Sequence, residues 1–263
     1  MALDLRDRAV LLTGASSGIG AATALALAAK GARLGLTARR VDRLTDVAEA
    51  CARGGAAEVE VWPCDLSDLS MTEEVALDAD DRLGGIDVLI NNAGAPMRRP
   101  VQRLTFDEVD HTMLVNYLAP VRMTLVLLPG MLDRGRGSIV NVSSLGGRLG
   151  IRSEAAYSAS KFALCGFTES MLADLHGTGI DVRLILPGAI DTEIWDQPGN
   201  DPAHYDGPLE PPGTVADAIV AAIEGDRVET YVPDMLGVVE MKTSDLQGFT
   251  EAMVQATDEM GGD

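Results

Sequence analysis

Apolar segments of strand length alternate with segments of helical composition along most of this chain. The first pair is RAVLLTG followed by IGAATALALAAKG, and later apolar segments are ARLGLTA, IDVLINNAG, GSIVNVSS and IDVRLILPG. A strand that is apolar along its whole length is buried on both faces, and helices between such strands form the crossovers of a parallel sheet. The alternation therefore predicts an α/β fold with a doubly wound parallel sheet.

The alternating pattern covers residues 1–233, which are predicted to form a single domain. The chain has 263 residues, of which 46% are hydrophobic, so it can bury one large core, and no linker-like stretch divides it. Residues 195–212, WDQPGNDPAHYDGPLEPP, interrupt the pattern with five prolines. We expect this segment to be a loop that closes over a binding site.

The last segment, residues 234–263, lies beyond the alternating pattern. Met241, Leu246, Phe249 and Met253 could lie on the apolar face of an amphipathic helix that covers a binding site or a neighbouring subunit. A frayed acidic end is the alternative, and it is the one we expect.

The charge and the cysteine content exclude several classes of partner. A formal net charge of -19 repels nucleic-acid phosphates and anionic lipid, so neither nucleic acid nor a membrane surface is expected to bind. The three cysteines have no CxxC spacing, which argues against a disulfide framework and a metal site and is typical of a cytoplasmic protein. We find no apolar run that approaches the roughly 20 residues of a membrane span.

The first apolar segment ends in TGASSGIG, which opens directly into a helical segment. Gly14, Gly18 and Gly20 allow a tight turn and a close approach of the backbone to a ligand. The free N–H groups at the start of the helix attract a pyrophosphate. This segment predicts a dinucleotide site at the carboxyl end of the first strand.

The same residues also satisfy a competing pattern. Gly14 to Gly18 read G-x-S-x-G, the nucleophile elbow of α/β hydrolases, with Ser16 as the nucleophile. That chemistry needs an acid and then a histidine downstream, and the chain offers only His111, His176 and His204. None of them follows a late strand in the expected way, so we disfavour a serine hydrolase.

The second apolar segment ends in TARRVDR. A dinucleotide that lacks a 2'-phosphate is usually held at this point by an Asp or Glu that binds the ribose hydroxyls. Arg39 and Arg40 stand there instead. Because guanidinium groups form charge-assisted hydrogen bonds to phosphate, the pair predicts that NADP(H) is preferred over NAD(H).

A tyrosine and a lysine lie four positions apart in AAYSASKF, residues 155–162. On a helix, Tyr157 and Lys161 share a face. A free phenol has a pKa near ~10 and is a poor proton donor or acceptor at neutral pH, but a neighbouring ammonium lowers that pKa. The pair therefore predicts a phenol that works as an acid or base.

Further motifs accompany this pair. Ser144 ends the apolar segment SIVNVSS thirteen residues before Tyr157, NNAG ends the fourth strand, and Asn116 lies in the helical segment MLVNYLAP. With TGxxxGIG, YxxxK and PGAIDT in order, the chain from Leu5 to Pro233 closely resembles the short-chain dehydrogenase/reductase family of NAD(P)-dependent oxidoreductases. The resemblance implies a sheet of the Rossmann type.

The resemblance also implies a role for each matching residue. Tyr157 would be the acid/base, Lys161 would lower its pKa and bind the nicotinamide ribose, and Asn116 would hold a water in a proton relay to Lys161. Ser144 would orient the carbonyl, and its spacing from Tyr157 favours it over Ser143. The residues implied in cofactor binding are Gly14, Ser17, Gly18, Ile19 and Gly20 at the pyrophosphate, Asp65 and Leu66 at the adenine, Asn92, Ala93 and Gly94 beside the adenosine ribose, and Ile190 and Thr192 at the carboxamide.

We therefore expect an NADPH-dependent oxidoreductase that transfers hydride between the nicotinamide and a small-molecule carbonyl or secondary alcohol, without a metal. The alternative is an NADP(H)-binding sensor or scaffold with little turnover, which has no need of an activated phenol. Trp195 and Tyr205 either line an apolar substrate or anchor the loop. Members of the family are commonly homodimers or homotetramers, so the resemblance implies one of these assemblies.

Overall fold

A parallel sheet of seven strands forms the centre of the computed structural model, which describes residues 3–260. Its spatial order is β3-β2-β1-β4-β5-β6-β7. The strands are β1 (Ala9–Thr13), β2 (Arg33–Ala38), β3 (Glu58–Pro63), β4 (Val88–Asn91), β5 (Gly137–Val142), β6 (Ile180–Pro187) and β7 (Glu229–Val232). Every pairing between neighbours is parallel, which confirms the doubly wound fold.

Helices cover both faces of the sheet. They are α1 (Gly18–Ala29), α2 (Val41–Arg53), α3 (Leu69–Arg82), α4 (Phe106–Met113), α5 (Ala119–Arg134), α6 (Ala155–Asp174), α7 (Pro212–Glu224), α8 (Leu236–Ser244) and α9 (Leu246–Met260). On β1, Val10 and Leu12 pack with residues of α1, α2 and α7, whereas Leu11 packs with residues of α3, α5 and α6. Burial of both faces is the reason that the strands are apolar throughout.

The chain reverses its direction of winding at β1. This strand pairs with β2 on one side and with β4 on the other, because the chain crosses back over the sheet after β3. The chain therefore continues from β1 to α1 on one face of the sheet and from β4 to α5 on the other, and a crevice forms where the two segments part. Ligands of doubly wound sheets bind in such a crevice.

The chain is helical without a break from Phe106 to Arg134, with a π-helical turn at Leu114–Leu118 between α4 and α5. By length and composition alone this run could span a membrane, so our expectation that no segment could was wrong. Met123 and Met131 of α5 are fully buried in the protein core. A core helix of a globular protein passes the same test of length and composition.

Two segments break the alternating pattern, and the structure differs from our expectation in one of them, the tail. The tail forms α8 and α9 rather than a frayed end, and residues 261–263 lie outside the described residues. In the proline-rich segment 195–212, the first residue belongs to a 3-10 turn, Glu193–Asp196, and the last one begins α7. A bridge between Ile190 and Glu210 closes the base of the loop.

Candidate active site

The glycine-rich turn after β1 packs directly on the segment that follows β4. Gly14 has a φ of +69°, and a Cβ atom there would lie 2.8 Å from Cα of Ala93. The Thr13 hydroxyl oxygen accepts hydrogen bonds from the backbone N–H groups of Asn92 and Ala93, both at 3.0 Å, and the Asn92 amide donates to the Thr13 carbonyl. These bonds fix the TGASSGIG and NNAG motifs against each other at the crevice.

The N-terminus of α1 opens into the same crevice. Ser17 is the N-cap residue, and its side chain makes no capping hydrogen bond to the first turn. The first N–H groups of a helix lack partners within the helix, and together with the helix dipole they attract anions. Gly18, Ile19 and Gly20 therefore present the donors that a pyrophosphate requires.

The two arginines after β2 differ in what they contact. Arg40 donates hydrogen bonds of 2.6 Å to the Glu193 carboxylate and to the Ser17 hydroxyl. Arg39 lines the crevice and makes no hydrogen bond or ion pair within residues 3–260, although its charge acts on the Asp65 carboxylate. The sequence predicted that the pair binds the 2'-phosphate, and of the two guanidinium groups the structure leaves only that of Arg39 unpaired.

Asp65 and Leu66 follow β3 and line the crevice beside Arg39. Burial alone would raise the pKa of the Asp65 carboxyl, but hydrogen bonds from Ser67 and the Arg39 charge hold this pKa below its ordinary value. Ile190 and Thr192 line the crevice from the other side, after β6. A Cβ atom on Gly18 would lie 2.9 Å from Cγ2 of Thr192, so the loop after β6 reaches the glycine-rich turn.

Tyr157 and Lys161 project from the first two turns of α6 into the crevice. Lys161 is only 3% exposed, and its Nζ atom donates a 3.0 Å hydrogen bond to the Val142 carbonyl at the end of β5. The same Nζ atom lies 5.8 Å from the centre of the Tyr157 ring. The i, i+4 spacing thus brings both groups to one site, as we expected.

Burial sets the protonation behaviour of this pair. It raises the pKa of Tyr157 to about 12, although the Ser144 hydroxyl has the opposite effect, and it lowers the pKa of Lys161 to about 8. We expected the lysine to lower the pKa of the phenol. In this structure desolvation dominates, because Lys161 is buried and Tyr157 is partly buried, and the ammonium contacts a carbonyl rather than the phenol oxygen.

Ser144 lies beside the Tyr157 ring. A Cβ atom on Gly146 would lie 3.3 Å from Cε1 of Tyr157 and 3.5 Å from the Ser144 hydroxyl oxygen, so both groups border the same small space. Ser143 is engaged elsewhere, because its hydroxyl donates to the Lys161 carbonyl and accepts from the Cys165 thiol. The structure thus places Ser144, rather than Ser143, beside the phenol.

Asn116 is fully buried in the π-helical turn between α4 and α5. Its amide oxygen accepts from the Ala95 N–H at 2.7 Å, and its amide nitrogen donates to the Ala95 carbonyl and to the Ser160 hydroxyl. A Cβ atom on Gly94 would lie 3.7 Å from this amide oxygen and 3.6 Å from Nζ of Lys161. Asn116 therefore joins the NNAG segment to α6 close to the lysine.

Several charged residues that line the crevice were not among our expected site residues, and three of them are Arg98, Glu154 and Glu193. Arg98 is 4% exposed and donates to the carbonyls of Ile194, Trp195 and Asp201 in the proline-rich loop. Glu154 precedes α6, and burial raises its pKa to about 7 while Arg98 opposes this. The third residue is Glu193, the partner of Arg40. No local pattern marks these residues, because their partners are distant in the sequence.

Ser16, the nucleophile of the hydrolase alternative, accepts a long hydrogen bond of 3.4 Å from Arg40. In the described part of the chain it makes no hydrogen bond to a histidine. His204 instead contacts the Ser153 hydroxyl at 3.4 Å. The geometry does not support a serine hydrolase.

The residues around the crevice fit a nicotinamide dinucleotide. The crevice has a volume of about 980 Å³, which is at the upper end of the range for small-molecule sites. It offers the uncapped N-terminus of α1 at one point and the unpaired Arg39 guanidinium at another. Both are donor groups suited to phosphate.

Known proteins are similar to this chain. The family model described as short chain dehydrogenase matches residues 8–202. The ketoacyl reductase HetN of Nostoc sp. is 34% identical over 228 residues, which cover 87% of this chain and 79% of that protein.

Two solved structures are also similar to this chain. A metagenomic short-chain oxidoreductase in complex with NADP has a TM-score of 0.75 at 32% identity, with 87% of this chain and 97% of that chain covered. A short-chain dehydrogenase/reductase from Burkholderia phymatum in complex with NAD has a TM-score of 0.85 at 25% identity, with 93% and 96% covered. The chain therefore belongs to the short-chain dehydrogenase family of oxidoreductases, and both of these similar structures hold a nicotinamide cofactor.

Proposed function

We propose that this protein is an NADPH-dependent reductase of small-molecule carbonyl compounds, with Tyr157 as the proton donor. The observation that carries the proposal is the convergence of Tyr157, Ser144 and Lys161 on one wall of the crevice that also holds the glycine-rich turn. A site that only bound a dinucleotide would not need two hydroxyl groups beside a buried ammonium.

In the proposed reaction, the Tyr157 hydroxyl donates its proton to the carbonyl oxygen of the substrate as negative charge develops there. The neighbouring Ser144 hydroxyl donates a second hydrogen bond to the same oxygen, which stabilises that charge and orients the carbonyl. A bound nicotinamide cofactor supplies or accepts the hydride. Lys161 stabilises the phenolate that remains on Tyr157, and the position of its buried ammonium over the ring suits this role.

The preference for NADPH rests on Arg39. Its guanidinium lines the crevice at the end of β2, where a carboxylate would bind the ribose hydroxyls of NAD. The similar structures bind either NADP or NAD, so membership of the family leaves the preference open. A free guanidinium at this point favours the cofactor with the additional phosphate.

The substrate end of the crevice is lined by apolar side chains under the proline-rich loop, and two of them are Met97 and Ile151. Trp195 stacks on Tyr205 at a ring distance of 6.1 Å and donates its indole N–H to the Ile190 carbonyl, so it both lines the crevice and anchors the loop. The similarity to a ketoacyl reductase makes 3-oxoacyl esters and thioesters the first substrates to test.

The test is oxidation of NADPH and of NADH in parallel, followed by the loss of reduced-nicotinamide absorbance, with 3-oxoacyl thioesters, ketones, aldehydes and quinones. Turnover with NADPH on any of these substrates is the expected result. Turnover with NADH alone would overturn the cofactor preference. Binding of NADPH without turnover on the whole panel would instead favour the sensor or scaffold alternative.

We further propose that the protein forms a homo-oligomer through α5. The helix and the turn before it expose Leu118, Leu125 and Leu132, which are 37%, 58% and 41% exposed and spaced seven residues apart on one face. Light scattering coupled to size-exclusion chromatography should give a dimer or a tetramer, and Leu125→Asp should shift the mass towards the monomer. A monomeric wild-type protein would contradict this proposal.

A further inference from the structure

Glu193 holds two arginines at the cofactor end of the crevice. One carboxylate oxygen accepts from Arg40 at 2.6 Å, and the other accepts from Arg43. Arg40 also donates to the hydroxyls of Ser16 and Ser17 in the glycine-rich turn. The carboxylate thus lies among the donors that surround the start of α1 and α2, and the two arginines hold the pKa of Glu193 below its ordinary range.

Glu193 also begins the segment that leads into the proline-rich loop at the substrate end of the crevice. It opens the 3-10 turn Glu193–Asp196, and its carbonyl oxygen accepts from the Gln197 side chain at 3.1 Å. Trp195, two residues later, stacks on Tyr205 and lies against Arg98. The bonds to Arg40 and Arg43 therefore tie the substrate loop to the arginines at the end of β2.

A phosphate and a carboxylate bind a guanidinium in the same way, through charge-assisted hydrogen bonds to planar N–H donors. Two like charges that use the same donors exclude each other. With Glu193 in place, Arg40 and Arg43 both donate to one carboxylate, and Arg39 is the remaining unpaired arginine of the described TARRVDR segment.

We propose that Glu193 is a specificity-determining residue that competes with the cofactor's 2'-phosphate for Arg40 and Arg43, and that its displacement by the phosphate releases the start of the substrate loop. The inference rests on the proposed preference for NADPH. Glu193 lowers the affinity for the phosphate, and in return the phosphate group changes the position of the loop that contacts the substrate. NAD(H), which lacks this phosphate, leaves the contact intact.

The first experiment measures binding of 2',5'-ADP and of 5'-AMP by calorimetry, which needs neither turnover nor a substrate. Exposed ion pairs of this kind are individually weak, so Glu193→Gln should tighten 2',5'-ADP binding by about three- to tenfold and leave 5'-AMP binding unchanged. Asp196→Asn is the matched control. It removes the same charge from the same turn, but Asp196 is exposed and makes no hydrogen bond or ion pair in the described residues.

A second experiment measures whether the start of the substrate loop moves when the phosphate binds. The chain has two tryptophans, so Trp62→Phe leaves Trp195 as the reporter. Addition of 2',5'-ADP should change the fluorescence of Trp195, whereas 5'-AMP should not. In the Glu193→Gln variant the spectrum without nucleotide should already resemble that of the 2',5'-ADP complex, and further addition should change it little.

The outcomes separate this inference from the proposed function. Equal or weaker binding of 2',5'-ADP to Glu193→Gln than to the wild type overturns the inference, since Glu193 would then position Arg40 rather than compete for it. If the wild type fails to distinguish 2',5'-ADP from 5'-AMP but Glu193→Gln prefers 2',5'-ADP, the NADPH preference is wrong and the competition stands. If neither protein distinguishes them, both proposals are wrong.

Discussion

Nζ of Lys161 lies 5.8 Å from the centre of the Tyr157 ring and donates its hydrogen bond to the Val142 carbonyl, not to the phenol. The end of β5 thus holds the lysine ammonium, which lies over the Tyr157 ring. Burial of both groups keeps the phenol protonated at neutral pH and makes the ammonium easier to deprotonate. The phenol is therefore present as an acid, which is the form that carbonyl reduction requires.

Removal of the phenol oxygen should abolish most of the turnover. General acid catalysis typically contributes about 10²- to 10⁴-fold, so Tyr157→Phe should lose activity in this range while it retains the affinity for NADPH. Steady-state kinetics with a substrate from the panel, together with calorimetric binding of NADPH, measure the two quantities. Near-normal activity of this variant would rule out Tyr157 as the proton donor.

Activity should fall as the pH rises through about 8, because the buried Lys161 loses its charge there. The pKa of this lysine is lower in the folded state than its ordinary value of 10.5, so the unfolded chain binds more protons between these two values. Lys161 therefore makes the free energy of unfolding increase with pH over that range.

The pH dependence of kcat/KM measures the activity, and thermal unfolding at each pH measures the stability. A fall in activity without a fall in the unfolding temperature is the expected result. A flat profile between pH 7 and about 10, where an ordinary lysine would stay charged, would show that the charge of Lys161 does not matter to the reaction.

Loss of the Arg39 guanidinium should affect one cofactor more than the other. A hydrogen bond to a charged group contributes about 1.5–3 kcal/mol, so Arg39→Ala should weaken NADPH binding by roughly tenfold or more and NADH binding much less. Arg40→Ala should have a smaller effect, since Glu193 already pairs with that guanidinium. Dissociation constants of both variants for NADPH and NADH measure these effects. An equal loss of affinity for NADPH and NADH in Arg39→Ala would remove the case for phosphate recognition.

Arg98 should be required for an ordered substrate loop. Its guanidinium donates to three loop carbonyls, and a buried acceptor left unpaired costs about 1–3 kcal/mol. We expect Arg98→Ala to lower the unfolding temperature and to increase hydrogen exchange in residues 194–201. Arg103→Ala is a suitable comparison, because it removes an exposed arginine that pairs with the Asp201 side chain. Similar exchange in the two variants would contradict this role.

The stable packing of α9 should depend on Arg152. This residue donates to the Thr257 hydroxyl at 2.6 Å and to the Asp258 carboxylate at 2.5 Å, and Thr257 lines the mouth of the crevice. Arg152→Ala should increase hydrogen exchange in α9 several-fold and change KM for bulky substrates more than kcat. Arg122→Ala is the control: it breaks an exposed ion pair between Arg122 of α5 and Glu73 of α3, and it should leave hydrogen exchange in α9 unchanged. Unchanged exchange in Arg152→Ala would show that other contacts hold the helix.

Much of this molecule is predictable because its determinants are local or repeated. Apolar runs of strand length follow from burial on both faces of a sheet, and the glycine-rich turn, the NNAG segment and Ser144 each lie at the end of one of those runs. Tyr157 and Lys161 share a helix, so their spacing alone brings them together. Position 14 requires glycine because a Cβ atom there would collide with the backbone at Ala93, and this glycine is part of the TGASSGIG pattern.

The amino-acid sequence by itself thus determined the parallel sheet, the family and most of the motif residues that border the crevice. Only the tertiary structure decided which of the two adjacent arginines is unpaired, in which direction burial moves the pKa of Tyr157, and that Arg98 binds the loop. Glu193 lies 153 positions from Arg40, and desolvation depends on everything packed around a group. Such quantities arise from contacts between distant segments, and no local spacing in the chain encodes them.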